Sequence, residues 1–452
     1  MEEGFQLEIV DGTGRRLARA WLWLGVAALI GAGLLAILLV LSRTPGLDEV
    51  FPLRDFFRAA LVVHVDLSVL IWFMAFAGVL WSLTGRSSRL PALGWSGFCL
   101  AAAGTLLLAL SPFAPDAQPL LNNYVPVLNQ PLFFAGLLVS AAGFGLSMLR
   151  ALIVGWPVRP ASGPGASLAF GILLAAVAGS YAWGAFLVSW HEVPAHGGGQ
   201  AYFEALFWGG GHALQFQHAL LAAVAWFWLA SALGAPPRLS PLAAAWLFAL
   251  AALPILAVPV IYALWPVDSA AHNIYFRRLM EFGHPLMLPL LIAVALTLPR
   301  LRSLRSPAGS ALIASLLLFC VGGVLAYLIR GVNVVIPAHY HGSIVGITLA
   351  FMGLTYVLLP PLGFGSVDGP LARWQPYVYG TGQLLHVVGL AWSGGYGVQR
   401  KVAGAEQMLT TLPQKIGMGL MGAGGLVAVV GGIMFAVVCL RAMWPRRRLT
   451  DG

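Results

Sequence analysis

Residues 336–360, IPAHYHGSIVGITLAFMGLTYVLLP, set two histidines one residue apart at the mouth of a long apolar run. A run of this length and composition can cross a hydrocarbon core about 30 Å thick. Imidazoles are costly there, and an ionisable side chain inside a span is a functional residue by default. On a helix of 3.6 residues per turn, positions i and i+2 lie about 200° apart. His339 and His341 therefore face opposite sides, and they suit two separate groups better than one ion gripped between them.

The rest of the chain has the same character. Its 452 residues are 59% hydrophobic and only 9% charged, far from the roughly 25% charged composition of a soluble domain, and the mean hydropathy is +0.85. No secretory signal precedes WLWLGVAALIGAGLLAILLVL, which reads as a retained first span. Twelve such runs recur, near 19–42, 59–83, 91–111, 130–152, 167–190, 202–233, 240–265, 278–298, 308–331, 338–360, 372–397 and 416–443. The expectation is an all-α, polytopic membrane bundle of about twelve transmembrane helices. It forms one transmembrane domain over 1–452, with a short N-terminal segment 1–18 and a C-terminal tail 444–452.

Charge orients the bundle. Arg15, Arg16, Arg86, Arg89, Arg150, Arg159, Arg238, Arg300, Arg302, Arg305, Arg373 and Arg446 to Arg448 fall on one side of such an arrangement. The positive-inside rule makes that side cytoplasmic and places both termini there; the expected location is the cytoplasmic (inner) membrane of a prokaryote. The connections with Asp48, Asp116, Glu192, Asp268 and Arg400 then face outward. The net charge of +9 is accounted for by this bias and signals no nucleic-acid partner. Cys99, Cys320 and Cys439 each sit inside an apolar run, without metal-ligand or disulfide spacing.

In this topology His64, His212, His284, His339 and His341 all fall in the outer half of the bilayer. A shared layer points to a shared site. Haem is the obvious candidate for histidines on separate helices, since an axial imidazole ligates iron at the centre of a large apolar disc. A haem with two histidine ligands needs a second one at similar depth, and His64, in LVVHVDLSVLIWFMAFAGVLWSL, is the good match in the first half of the chain. The plain alternative is a set of buried histidines bonded to backbone carbonyls or water.

Twelve spans, a histidine opening the second and an H-x-H opening the tenth resemble the catalytic subunit of the heme–copper oxidase superfamily, over nearly the whole chain. The likeness is nearest to members with bound c-type cytochromes and to nitric oxide reductases. The resemblance implies that His64 and His341 ligate a low-spin haem and that His339 is the proximal ligand of a high-spin haem. It also gives GGYGVQRKVAG a role, because the family carries a basic pair there against the haem propionates. Arg400 and Lys401 would fill that role through charge-assisted bonds; otherwise they are ordinary loop cations.

The pattern departs from the family on the distal side of the second haem. Oxygen-reducing members hold copper there with one histidine from span six and two adjacent ones ending span seven. His212 stands at the first position, but Phe216 replaces the tyrosine that oxidases often have four residues later, and nitric oxide reductases have a glutamate there. Ala263, Leu264 and Trp265 stand where the histidine pair should fall. Copper is therefore expected to be absent or substoichiometric. In RRLMEFGHPLML, Glu281 and His284 form an i, i+3 pair of the kind that serves metals in helical bundles. With His212 they would make a two-histidine, one-carboxylate set suited to non-haem iron, the alternative being bonds between Glu281 and His284 or to a propionate. His191, His196, His218, His272 and His386 are weaker candidates: His191, His196 and His272 as loop residues, His218 as one facing elsewhere, and His386 as a packing residue. Thr297, Ser315 and Tyr327 do not define a proton channel.

The resemblance implies a terminal-oxidase-like oxidoreductase that passes electrons through a low-spin haem to a high-spin haem and reduces a small gas. Oxygen is the first choice of substrate and nitric oxide the second. A non-catalytic haem carrier is the alternative from another class, and the missing copper ligands favour it. A solute transporter is disfavoured, since broken helices do not recur in two halves. The sequence has no long hydrophilic segment for electron entry, so electrons are expected from a partner with a cytochrome c-type or cupredoxin-type domain.

Overall fold

The computed structural model describes residues 4–43, 54–115, 117–193, 198–301, 303, 305–402 and 407–444. Asp48, Asp116, His196, Arg302 and Arg446 to Arg448 lie outside the described residues. The chain is an all-α bundle of long helices, as its apolar runs lead one to expect: α1 Thr13–Arg43, α4 Pro131–Gly155, α5 Pro164–Glu192, α6 Gln200–Ala232, α9 Pro307–Tyr327, α10 Val335–Leu358, α11 Pro370–Gly395 and α12 Leu412–Met443. Four more cross with local changes of pitch: α2 Phe57–Leu83, α3 Pro91–Phe113, α7 Pro241–Leu264 and α8 Ala270–Arg300. Eleven of the twelve are long and apolar enough to cross a membrane. The exception is α11, which is helical along its length but carries Gln375, Gln383 and His386 and has Pro376 inside it.

The pitch changes have local causes. Pro254 turns part of α7 into the 3₁₀ segment Leu253–Leu256, and Pro285 does the same in α8 at His284–Met287, because proline offers no N–H to the α-helical ladder. In α2 the six residues Asp66–Ile71 form a π-helical turn directly after His64. Helix starts are capped by side chains. The Ser269 hydroxyl accepts the His272 N–H (3.1 Å) and begins α8, so His272 belongs to a helix and is not the loop residue expected above. Asn333 Oδ1 likewise accepts the Val335 N–H (2.9 Å) at the start of α10.

The helices gather into two units, residues 1–42 with 50–301 and residues 43–49 with 302–452. In the first, Trp21 of α1 is buried, stacked on Phe144 (5.5 Å) and edge-on to Phe98 (5.3 Å). A short hairpin, β1 Pro119–Leu120 paired antiparallel with β2 Val127–Leu128, stands between α3 and α4. In the second unit α9 and α10 approach backbone to backbone. A Cβ on Gly322 would lie 2.2 Å from the Ser343 nitrogen, so only glycine permits that approach. Val334, Ala338, Val387, Leu390, Val398, Met418 and Met421 form a buried cluster that joins α10 to α11 and α12.

Candidate functional site

Each unit carries part of the chemistry. In the second, His339 and His341 open α10 and meet different neighbours. The close approach at Gly322 lets His339 Nδ1 bond the Gly322 carbonyl at 2.8 Å, on α9. His341 turns instead to α11, where its ring centroid lies 4.7 Å from that of His386. His386 fixes its own Nδ1 on the Met421 carbonyl of α12 at 3.0 Å. The 200° separation on the helix is thus realised as contacts with two different helices.

The loop carrying Arg400 and Lys401 is tied to the same end of α10. The Val398 carbonyl accepts the Val334 N–H at 3.0 Å, and a Cβ on Gly394 would lie 2.5 Å from the Val335 side chain. Both cations are half-buried, and Lys401 has a left-handed backbone, φ +63°.

In the first unit His64 is held as His339 is, with Nδ1 on the Ala32 carbonyl of α1 at 2.8 Å. Asp66, two residues on, is 1% exposed, and neither of its carboxyl oxygens has a hydrogen-bond partner among the described residues. Sequence reading passed over this residue, although a carboxylate inside an apolar run is itself a signal.

His212 is 2% exposed and differs from His64 and His339 in having both nitrogens engaged. Nδ1 bonds the Trp208 carbonyl at 2.6 Å, and Nε2 bonds the Tyr124 hydroxyl at 2.8 Å. Tyr124 comes from the hairpin turn between β1 and β2, and burial pushes its phenol well above the ordinary tyrosine value. Nothing in the sequence pattern singled it out.

Of the remaining residues of the predicted distal set, His284 lies near enough to His212 to act on it electrostatically, as does His272, but no metal-holding group forms among the described residues. Glu281 turns to Arg278, with which it forms an exposed ion pair at 2.8 Å. The His284 ring packs edge-on against Phe216, centroids 4.5 Å apart, in a small recess lined also by Ala219, Leu220, Met287 and Leu290. Leu264 is 60% exposed, and Trp265 stacks on Tyr275 at 3.7 Å. Tyr262 bonds the Ser189 hydroxyl (2.7 Å) and donates to the Ala185 carbonyl (3.1 Å), both on α5. His272 is fully buried between Tyr262 and Phe276. Among the described residues no three or more His, Cys, Asp or Glu side chains are placed to hold a metal ion. Helical backbone continues through Gly283 and His284, so the pair is divided by its neighbours: Arg278 takes Glu281, and the His284 ring packs on Phe216.

His64 and His339 have the geometry that iron ligation requires. A metal-bound histidine characteristically gives its other ring nitrogen to a carbonyl or carboxylate, which fixes tautomer and orientation. His64 and His339 do this through Nδ1, and among the described residues nothing bonds either Nε2. Among the described residues neither a copper-holding histidine trio nor the set His212, Glu281 and His284 is assembled.

Comparison with known proteins places this architecture. The family model of cytochrome c and quinol oxidase polypeptide I matches residues 16–434, and the chain belongs to that family. A Rickettsia prowazekii protein described as uncharacterized is 29% identical over 504 aligned positions, covering 95% of this chain and 96% of its own length. An uncharacterized Aquifex aeolicus protein is 29% identical over 367 positions, covering 79% of this chain and 88% of its own. The cryo-EM structure of a heme-copper terminal oxidase dimer shares the fold, with a TM-score of 0.74 at 16% identity over 97% of this chain and 86% of that one. Membership implies oxidoreductase chemistry of the oxidase type, haem cofactors and a multi-pass membrane protein served by an electron donor.

Proposed function

We propose that this chain is a membrane haem oxidoreductase that carries electrons through a low-spin haem to a high-spin haem and there reduces a small gas, oxygen before nitric oxide. His64 and His341 hold the first haem and His339 the second; Arg400 and Lys401 meet propionates. When bound, haem iron supplies one-electron carriage and, with a single axial histidine, an open position for a diatomic ligand. The observation that carries this reading is the pair of histidines with Nδ1 fixed on a carbonyl and Nε2 left for iron, His64 and His339. These carbonyl bonds hold each imidazole in one tautomer, with the lone pair on Nε2, and orient it before the cofactor arrives.

Electrons come from a partner with a cytochrome c-type or cupredoxin-type domain, and the protein sits in a prokaryotic inner membrane with both termini in the cytoplasm. One observation favours a second reading, a haem electron carrier without catalysis: among the described residues no second metal site is assembled around His212.

The two readings share the haems and differ in gas binding. Purified protein is expected to contain two haems, one of which binds carbon monoxide on reduction. His64→Ala and His341→Ala each remove the low-spin spectrum and leave the carbon-monoxide-binding one. Two haems with no carbon monoxide adduct would select the carrier, and a preparation with one haem or none would reject both.

A further inference from the structure

The turn between β1 and β2 delivers a phenol to the one family-position histidine left on the distal side. Several features hold it there. Tyr124 has φ +66°, a conformation that costs a non-glycine residue about 1 kcal/mol or more. Its neighbour Asn123 is clamped to Glu204 of α6, which accepts the Asn123 backbone N–H at 2.8 Å and also bonds its side-chain amide. Asn122 closes the turn by donating to the Val125 carbonyl at 2.6 Å. On α6 the ring meets Gly211, where a Cβ would lie 2.3 Å from Tyr124 Cγ. A strained turn, a carboxylate clamp and a missing side chain all act to seat one ring on His212.

The seat is specific. The tyrosine ring lies 4.6 Å from the imidazole, which is flanked by Trp208 at 4.7 Å and Phe276 at 5.6 Å. His212 Nδ1 faces a carbonyl oxygen, which can only accept, so Nδ1 carries the proton and Nε2 offers the lone pair. The Tyr124 O–H donates to that lone pair at 2.8 Å. A metal ion needs the same lone pair along the same direction.

We propose that Tyr124 is the specificity-determining residue at this end of the bundle: its hydroxyl takes the coordinating position of His212, which then serves as an uncharged hydrogen-bond acceptor and binds no metal. The rings of Tyr124, Trp208 and Phe276 pack around His212, so a metal ion could reach Nε2 only by displacing the Tyr124 hydroxyl. The inference rests on the oxidase-type reading only for the expectation of a metal at this histidine; the Tyr124–His212 bond is independent of it.

The test compares wild type, Tyr124→Phe, Gly211→Ala and His212→Ala as full chains expressed with haem supplied and purified in detergent. Diethyl pyrocarbonate acylates a free imidazole lone pair, and mass spectrometry of the His212 peptide reads the rate. Tyr124→Phe removes the donor, while Gly211→Ala drives the ring off and keeps the hydroxyl. Each is expected to speed acylation about tenfold, the order of a lost hydrogen bond. Equal rates in wild type and both variants overturn the proposal. So does a copper or non-haem iron in the wild type that His212→Ala removes. Equal metal content in wild type and His212→Ala, with slow wild-type acylation, supports it. Absence of haem from all four preparations would count against the oxidase-type reading alone and leave the His212 readout intact.

Discussion

His212 and His339 begin alike and end differently. Both lie on long helices, and both fix Nδ1 on a backbone carbonyl, at 2.6 Å and 2.8 Å. For His212 the carbonyl is one turn back on its own helix, whereas for His339 it belongs to α9 and is reached through the glycine contact. The difference that matters lies at Nε2. Among the described residues nothing bonds this atom of His339, while Tyr124 bonds that of His212. A helix thus sets where an imidazole points, and what the chain brings from elsewhere sets whether the imidazole is available.

The largest expected effect separates the two histidines directly. His339→Ala should abolish the carbon-monoxide-binding haem altogether, since no other residue of α10 is placed to replace its imidazole. His212→Ala should retain that haem at near wild-type content, because His212 spends both nitrogens on protein groups. Carbon monoxide difference spectra with haem quantitation check both. Equal loss in the two variants would break the comparison.

A smaller effect tests how His339 is oriented. Gly322→Ala puts a Cβ 2.2 Å from the Ser343 nitrogen and must force α9 and α10 apart. Overpacking of this kind costs about 1–3 kcal/mol, and it also draws the Gly322 carbonyl away from Nδ1. Thermal unfolding should shift down, and the carbon-monoxide-reactive fraction should fall. Gly323→Ala meets nothing within 4 Å and serves as the control. If both substitutions behave alike, the orientation of His339 does not depend on the helix contact.

Much of this was legible because long apolar helices announce themselves. Twelve runs gave twelve helices, and His339 and His341 had to diverge once a helix was granted. The distal side was less legible for definite reasons. Glu281 and His284 were read as one helix face turned to His212, but Glu281 found Arg278 and the His284 ring packs on Phe216. His272 looked like a loop residue because the Ser269 cap was not recognised. Tyr124 lies 88 positions from His212 in a turn with no periodic signal, and only the fold brings them together. Asp66 was visible as a carboxyl inside a span, but its burial in a π-helical turn without a partner was not.

The smallest expected effect concerns the basic pair and the other end of the same comparison. If availability is decided by what the chain brings alongside, the loop after α11 should tune the haem on the His341 flank as the β1–β2 turn closes His212. Val398 and Gly394 tie that loop to the start of α10, so Arg400 and Lys401 are held at a fixed place relative to His341. A nearby positive charge favours the reduced, less positive haem. A unit charge about 10 Å away in a medium of effective dielectric about 20 contributes roughly 1–2 kcal/mol, and both residues are only half-buried, so water and salt reduce that. Arg400→Ala and Lys401→Ala should therefore lower the low-spin haem potential by tens of millivolts without loss of haem. Arg400→Lys should recover most of the shift, because it keeps the charge while giving up the planar, two-pronged contact with a carboxylate. Redox titration of the three variants reads the result, and unchanged potentials in all of them would return the pair to ordinary loop cations.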